Sequence, residues 1–355
     1  MEYRIINDNE KDRFDDFIAA FEWGDLMQSV EWGVLKSKGG WKPVSVIAEE
    51  NGEIKAAATL LARPIPKTKR CIMYAPRGPV MDTKNRDLVL GFTDFIRKVA
   101  KDRGAILVKI DPPVPVEDVE SDKNIRDAGF THLSAQGFGG TQPKCVMQLD
   151  LKDKTPDELL ASFKEKWRYN IRLAGRKGVT VNMDCTRDDL SVFYNILKET
   201  CARDGFMVRS LTYFEDMWDA LAPKGWIKLI LTYYEGKAVA GAVAYLFGDK
   251  AMYTYGASSN EYRNVMPNHL MQWNMIQWAK ENDCKWYDFR GVSPKSESGE
   301  LDAHLAGLNR FKEGFRPRFV EYIGEYDLIL SPLWYKLWVV AVPKVRAFLK
   351  RRGRK

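Results

Sequence analysis

Basic side chains recur at helical spacing near the middle of the chain. Lys164, Arg168 and Arg172 are four residues apart and therefore share one face of the helix predicted for this segment. Only one acidic residue, Glu165, falls among them, and two aromatic residues are interleaved. Most stripes of this kind are solvated surface, and that interpretation stays open. The lack of acidic partners favours the alternative, contact with a phosphate-rich partner such as a nucleic acid.

Residues for metal or covalent chemistry do not occur in the required patterns. The three histidines, His132, His269 and His304, have no metal-ligand spacing. No G-x-S-x-G motif or cysteine–histidine pairing points to a nucleophile. The five cysteines contain no C-x-x-C pair, and their odd number fits a reducing compartment. We therefore expect a cytoplasmic protein without a metal site.

The net charge of +7 is concentrated at the C-terminal end. Residues 331–355 hold eight basic residues and no acidic one, and they also include Trp334 and Trp338 among aliphatic residues. Two interpretations stay open. The segment is either a terminal helix packed on the body with a solvated end, or it contacts an anionic surface, the inner membrane leaflet or RNA.

Two parts of the chain predict the same order of structural elements. Alternating apolar residues on both sides of Asn51-Gly52 predict a β-hairpin over 41–61, and a second hairpin is predicted over 226–247. Each hairpin precedes a short apolar strand, then a helix, then a strand that stops at an aspartate, Asp111 in the first part and Asp288 in the second. This repetition predicts an α/β protein of two tandem mixed-sheet domains. We place the first domain at 1–149, completed by the segment 319–355, and the second at 150–318.

The order of hairpin, strand, helix and strand resembles the GCN5-related N-acetyltransferase (GNAT) unit. In that unit, a glycine-rich turn before the helix holds the pyrophosphate of coenzyme A. The corresponding segment of this chain, 261–269, has no glycine and contains Pro267. The architecture therefore fits an acyltransferase, whereas the usual acyl donor does not. A CoA-dependent N-acyltransferase stays open as an alternative, and so does a non-catalytic protein that binds RNA or a membrane.

Six segments resemble the Fem-type (FemABX) peptidoglycan bridge-forming aminoacyltransferases, in the same order along nearly the whole chain. They are YAPRGPVM (74–81), the basic segment 164–178, YGASS (255–259), MPNHLMQW (266–273), WYDFRGV (286–292) and GLNRFKEGF (307–315).

The resemblance implies a fold, a reaction and its partners. The fold is a pair of GNAT-like domains, and the donor is aminoacyl-tRNA. The enzyme adds glycine, serine or alanine to the side-chain amine of the peptidoglycan stem peptide, by direct aminolysis and without a cofactor. The acceptor is either the UDP-linked muramyl pentapeptide or lipid II. The short segment between 178 and 226 leaves no room for the long helical arm of larger members, so we expect the compact, first-residue-adding type, acting as a monomer.

The resemblance also implies two catalytic residues. Lys312 matches a lysine that the family places as a fixed cation near the developing oxyanion or the 3′-terminal phosphates of the tRNA. The alternative interpretation is that Lys312 is a surface residue paired with Glu313. Asp111 corresponds to a groove residue that holds the attacking amine or accepts its proton. The alternative interpretation is that Asp111 only caps the turn before Pro112.

Further residues are implied for substrate binding. Lys36 and Arg209 match family positions that contact the phosphates of the precursor. Tyr213 and Tyr255 match groove residues, or else are half-buried core tyrosines with solvated hydroxyl groups. Lys164, Arg168 and Arg172 are assigned to tRNA binding.

Overall fold

The computed structural model describes residues 1–133, 140–294 and 303–340, with side chains from residue 306 onward in the last range. The chain divides into two compact units: unit 1 is Met1–Ala135 with Ile323–Lys355, and unit 2 is Gln136–Tyr322. The sequence pattern places the boundary at 149/150. The strand that contains this point, Cys145–Asp150, pairs within the sheet of unit 2, and the compact units divide before it.

Helices and strands are numbered separately in chain order. The helices are α1 Lys11–Ala20, α2 Val30–Lys38, α3 Arg86–Asp102, α4 Val119–Asp127, α5 Pro156–Ser162, α6 Glu165–Arg176, α7 Leu190–Asp204, α8 Leu211–Leu221, α9 Pro267–Glu281 and α10 Ala303–Glu313. Residues 332–340 are also helical. The strands are β1 Glu2–Ile5, β2 Lys42–Glu50, β3 Glu53–Pro64, β4 Cys71–Ala75, β5 Val80–Met81, β6 Ala105–Ile110, β7 Thr131–Leu133, β8 Cys145–Asp150, β9 Thr180–Asn182, β10 Ile227–Tyr234, β11 Lys237–Phe247, β12 Lys250–Ser258, β13 Trp286–Gly291, β14 Arg318–Glu321 and β15 Glu325–Ile329.

Unit 1 is a mixed sheet covered by α3. The strand order is β1-β2-β3-β4-β6-β15-β7, and β5 pairs with β3. The predicted hairpin is confirmed as β2 and β3, and its turn places Asn51 and Gly52 at positive φ. β4 and β6 run parallel, as strands joined by a crossover helix must. Leu88, Phe92 and Ile96 of α3 are buried on the sheet, because apolar residues recur along one face of the helix.

Unit 2 repeats this arrangement. Its strand order is β14-β8-β13-β12-β11-β10-β9, with β10 and β11 as the predicted second hairpin and β12 parallel to β13. Phe163, Phe289 and Phe315 are buried in its core. The prediction of two tandem mixed α/β units is therefore confirmed. Among the described residues, no helix combines the length and apolarity needed to cross a bilayer.

One predicted strand end is wrong. β13 does not stop at Asp288 but continues to Gly291. Its pairing with β8 is interrupted between these two residues, where Arg290 has a φ of +58°. A β-bulge of this kind bends a strand and redirects its side chains.

Candidate active site

Lys312 is buried inside unit 2 rather than paired at the surface. It lies in the last turn of α10, it is only 4% exposed, and its Nζ donates to the backbone oxygen of Gly291 at 2.7 Å. Burial lowers the pKa of Lys312 to about 7; the Asp288 carboxylate opposes this shift and the Arg290 guanidinium adds to it. Near neutral pH the side chain is therefore present as both ammonium and free amine.

The bulge in β13 brings charged groups close to Lys312. The Asp288 carboxylate accepts a hydrogen bond from the backbone N–H of Arg290 at 2.5 Å, and both side chains are buried. Gln148 on the adjacent β8 donates to Asp288 at 3.3 Å. Sequence patterns identify Asp288 only as a strand end and miss Arg290. The signal that could have found Arg290 is the WYDFRGV segment, in which both residues lie.

Asn309 fixes the segment that follows β13. Its side-chain oxygen accepts from the N–H of Ser293 at 3.1 Å, and its side-chain nitrogen donates to the oxygen of Ser293 at 3.2 Å. Asn309 and Lys312 are three residues apart on α10 and thus on neighbouring positions of one helix face. Together they tie α10 to the end of β13 at two points. Sequence patterns alone do not single out Asn309.

The end of α10 is also locked against α6. The indole N–H of Trp167 donates to the oxygen of Phe311 at 2.9 Å, and the N–H of Lys164 donates to the oxygen of Gly314 at 2.9 Å. A Cβ added at Gly314 would lie 1.9 Å from the Trp167 ring. Gly314 is thus required by the close approach of the indole, and this contact holds the Lys312 end of α10 in place.

The three basic residues assigned to tRNA binding, Lys164 at the N-cap of α6 and Arg168 and Arg172 within it, are not equivalent. Arg168 is half-buried and donates to the oxygens of Ala161 and Phe163 at 2.9 and 2.7 Å, so it caps the end of α5. Lys164 is half-buried and Arg172 is exposed. Within the described part of the chain, none of the three forms an ion pair. Lys164 and Arg172 therefore remain available to an anionic partner.

The contacts of His269 and His132 suit a structural role for these two histidines. Burial lowers the pKa of His269 to about 4, with a smaller effect of Lys166, and its Nε2 lies 3.1 Å from Nδ2 of Asn170. His132 Nε2 lies 2.9 Å from the oxygen of Ile323. The side chain of His304 is outside the described residues. Across those residues, no group of three histidine, cysteine, aspartate or glutamate side chains is arranged to hold a metal ion.

Arg209, Tyr213 and Tyr255 are brought together in unit 2. The Arg209 guanidinium lies 4.7 Å from the centroid of the Tyr213 ring. Burial raises the pKa of Tyr213, with a smaller contribution from the neighbouring Tyr255. Both tyrosines are half-buried and Arg209 is exposed. The cluster thus offers one accessible guanidinium over an aromatic surface, a geometry that supports a cation for phosphate recognition.

Asp111 is enclosed in unit 1. It is 2% exposed, and its two oxygens accept from the Tyr74 hydroxyl at 2.7 Å and from the backbone N–H of Arg77 at 2.6 Å. Burial raises the pKa of Asp111 to about 6, and the Arg77 guanidinium opposes the shift. Arg77 is itself buried with a φ of +56°. The carboxylate thus holds the turn after β4, and its hydrogen bonds lie there rather than at Pro112.

Lys36 and the basic C-terminal tail are the remaining features that the sequence analysis singles out for binding. Lys36, in the last turn of α2 in unit 1, has its ammonium 4.3 Å from the centroid of the Trp32 ring. The tail from 341 onward lies outside the described residues.

Known proteins resemble this chain over nearly its whole length. A protein named lipid II:glycine glycyltransferase from Staphylococcus epidermidis is 31% identical over 93% of this chain and 94% of its own length. One of the same name from Staphylococcus aureus is 29% identical, over 97% of each chain. The first alignment runs over 396 residues, more than the 355 of this chain, so that relative carries residues with no counterpart in it.

A solved structure and a family model agree with these relatives. The crystal structure of FemX superposes with a TM-score of 0.87 at 29% identity, covering 95% of this chain and 99% of that one. A model described as the FemAB family matches residues 10–235 and 227–342. Taken with the buried lysine and the tandem units described above, these matches mean that the chain belongs to the FemAB family.

Proposed function

We propose that this protein transfers an aminoacyl group from aminoacyl-tRNA to the side-chain amine of the stem peptide of lipid II. Family membership supports an aminoacyltransferase of peptidoglycan precursors. The names of the relatives favour glycine over serine and alanine, and the lipid-linked acceptor over the soluble nucleotide. The aminoacyl-tRNA donor is implied by the resemblance of the motifs.

The local structure before α9 argues against coenzyme A as donor. The helix begins at Pro267, whose nitrogen carries no hydrogen, and Met266 and Tyr262 adopt positive φ without being glycines. This end of the helix therefore lacks one of the N–H groups that would hold a pyrophosphate.

The transfer reaction requires few catalytic groups. The attacking amine forms a C–N bond to the ester carbonyl, a tetrahedral oxyanion develops, and the C–O bond to the ribose breaks as the ribose oxygen gains a proton. The amine loses its own proton in the same sequence. Because the ester is already activated, placement of the reactants and stabilisation of the oxyanion suffice.

The buried Lys312 is the observation that carries this proposal. A cation excluded from water acts strongly on a developing charge, because little solvent screens it. With a pKa of about 7, the ammonium can also give its proton to the departing ribose oxygen. Asp288, Arg290 and Asn309 position the site through the contacts described above and need not touch the substrate.

Lys36 and Arg209 are proposed as contacts to the phosphates of the acceptor. Such contacts are remote from the reacting amine and bind the ground state and transition state alike. Lys36→Ala and Arg209→Ala should therefore raise the KM for the acceptor by about tenfold and leave kcat within about twofold. If steady-state kinetics show a change in kcat alone, the phosphate assignment fails.

The proposal is tested by a matrix of donors and acceptors. The protein is incubated with glycyl-, seryl- or alanyl-tRNA, each with lipid II in detergent or with the UDP-linked muramyl pentapeptide, and the products are read by mass. We expect a mass increase of one glycine on lipid II. A parallel incubation with acetyl-CoA should give no acetylated product. Acetylation, or no transfer from any charged tRNA, would refute the proposed donor.

A further inference from the structure

The helix at 332–340 presents an apolar face to solvent. Leu333, Leu337 and Val340 follow one another at i, i+4 and i+7, so they line one side of the helix. They are 70%, 56% and 58% exposed. Isolated apolar side chains at a surface are common, whereas a row of three along one helix face is typical of a docking surface.

The opposite side of this helix is attached to unit 1. The Tyr335 hydroxyl donates to the Asp327 carboxylate of β15 at 3.0 Å, and Trp334 and Trp338 are half-buried. The orientation of the apolar face is therefore fixed by contacts on the other face. Since the helix is held in this way, its exposed leucines are unlike the apolar residues of a frayed terminus.

The charge of the segment identifies the partner. Lys336 is exposed on this helix, and no acidic residue occurs from 331 to the end of the chain. Residues 341–355 of the sequence add seven basic ones, Lys344, Arg346, Lys350, Arg351, Arg352, Arg354 and Lys355. An apolar face followed by a polybasic stretch is the combination that binds an anionic bilayer surface, where apolar side chains enter the interface and cations meet the headgroups.

We propose that the helical segment 332–340 lies flat on an anionic bilayer, with Leu333, Leu337 and Val340 in the interfacial region. The inference deepens the proposed function, because a lipid-linked acceptor is presented at such a surface. The proposed docking surface belongs to unit 1, and the Lys312 site belongs to unit 2.

The test is co-sedimentation of the full chain with vesicles of phosphatidylcholine alone or of phosphatidylcholine and phosphatidylglycerol. The wild type should bind the anionic vesicles more strongly than the neutral ones. The double variant Leu333→Glu/Leu337→Glu should lower the partition coefficient by about tenfold or more, because it removes apolar burial and adds repulsion. The matched control is Val119→Glu. Val119 is 73% exposed in the same unit but lies among acidic residues, so this variant should bind like the wild type.

A second variant separates the charges from the apolar face. Lys350→Gln/Arg351→Gln/Arg352→Gln should weaken binding to the anionic vesicles severalfold and leave binding to neutral ones unchanged. Equal sedimentation of the Leu333→Glu/Leu337→Glu variant and the wild type would overturn the proposal. So would concentration-dependent self-association of the wild type that this variant abolishes, without vesicle binding, since the face would then cover a second copy.

These outcomes are independent of the transfer assay. Vesicle binding is measured without donor or acceptor, and circular dichroism melts establish that each variant is folded. Failure to bind vesicles with transfer intact would overturn only the docking inference. Binding without transfer would overturn only the proposed function.

Discussion

Units 1 and 2 contain corresponding aspartates with similar hydrogen bonds and different surroundings. Asp111 and Asp288 both lie on or just after the strand that follows the central helix of their unit, and each accepts from the backbone N–H of a buried arginine at positive φ. In unit 1 that arginine, Arg77, comes from the turn after a different strand, β4. In unit 2 it is Arg290, two residues further along β13 itself.

This difference changes what each aspartate can do. Asp111 joins two separate segments and is closed off by the Tyr74 hydroxyl, so it stabilises the β4 turn. Asp288 also accepts from Gln148 on β8, but its backbone donor lies on its own strand, at whose end the Gly291 oxygen accepts from Lys312. The same hydrogen bond therefore fixes a turn in unit 1 and shapes the end of a strand around a buried lysine in unit 2. We infer that only the second arrangement is catalytic.

Replacement of Lys312 should have the largest effect. Lys312→Met should lower the single-turnover rate by about 10² or more, the effect of removing one preorganised group near an oxyanion. The variant should melt within a few degrees of the wild type, since an apolar side chain suits this buried position. The matched control is Lys280→Met, which removes a lysine that also donates to a backbone oxygen, that of Leu151 at 3.0 Å. A wild-type rate in a folded Lys312→Met protein would contradict the inference that the arrangement in unit 2 is catalytic.

Two variants of Asp111 should separate a positioning role from a catalytic one. Asp111→Ala leaves two buried donors without partners and should lower the free energy of unfolding by about 1–3 kcal/mol for each. Asp111→Asn keeps one acceptor oxygen for the N–H of Arg77, and its Nδ2 can donate to the Tyr74 hydroxyl oxygen, so this variant should be close to wild type in both stability and rate. Denaturant unfolding and single-turnover transfer measure both quantities. If Asp111→Asn is fully stable yet slow, Asp111 is a base and unit 1 shares the chemistry.

The pH profile assigns the titrating group. The attacking side-chain amine titrates well above pH 8, so its deprotonation raises the rates of the wild type and of Lys312→Met alike between pH 7 and pH 8. If the Lys312 ammonium acts, the ratio of the wild-type rate to the Lys312→Met rate should fall about fivefold over this range, because a group with a pKa of about 7 loses its proton. A constant ratio would show that this proton is not used. An ascending limb near pH 6 that disappears in Asp111→Asn would instead assign the effect to unit 1.

The smallest effect is expected at the basic helix of unit 2. Lys164→Gln/Arg172→Gln should weaken tRNA binding and flatten the plot of log affinity against log salt by about 1.5 units, since each phosphate contact contributes about 0.7–0.9. Lys101→Gln on α3 of unit 1, also an exposed helical position, should leave the slope unchanged. Arg168→Gln should lower the melting temperature more than the slope, because its side chain caps α5. If the plots of log affinity against log salt have equal slopes for all variants, α6 is ordinary solvated surface and does not contact tRNA.

The sequence by itself determined the elements and the repeat. Alternation around Asn51-Gly52 and over 226–247 predicted both hairpins, because the side-chain period of a strand and the backbone demands of a tight turn are local properties. The start of α5 also depends on local residues: the Thr155 side chain accepts from the N–H of Glu158, and Pro156 is the first residue of the helix. The motifs, matched to a family, also identified Lys312.

Only the tertiary structure decided which of these residues work together. Burial of Lys312, and hence its lowered pKa, depends on packing of α10 against β13 and α6, which are distant in sequence. The bulge that carries Arg290, the Asn309 bonds to Ser293 and the engagement of Arg168 with α5 arise from the same packing. A linear pattern specifies which side chains are present, whereas desolvation and hydrogen-bond partners are set by neighbours that the fold brings from elsewhere in the chain.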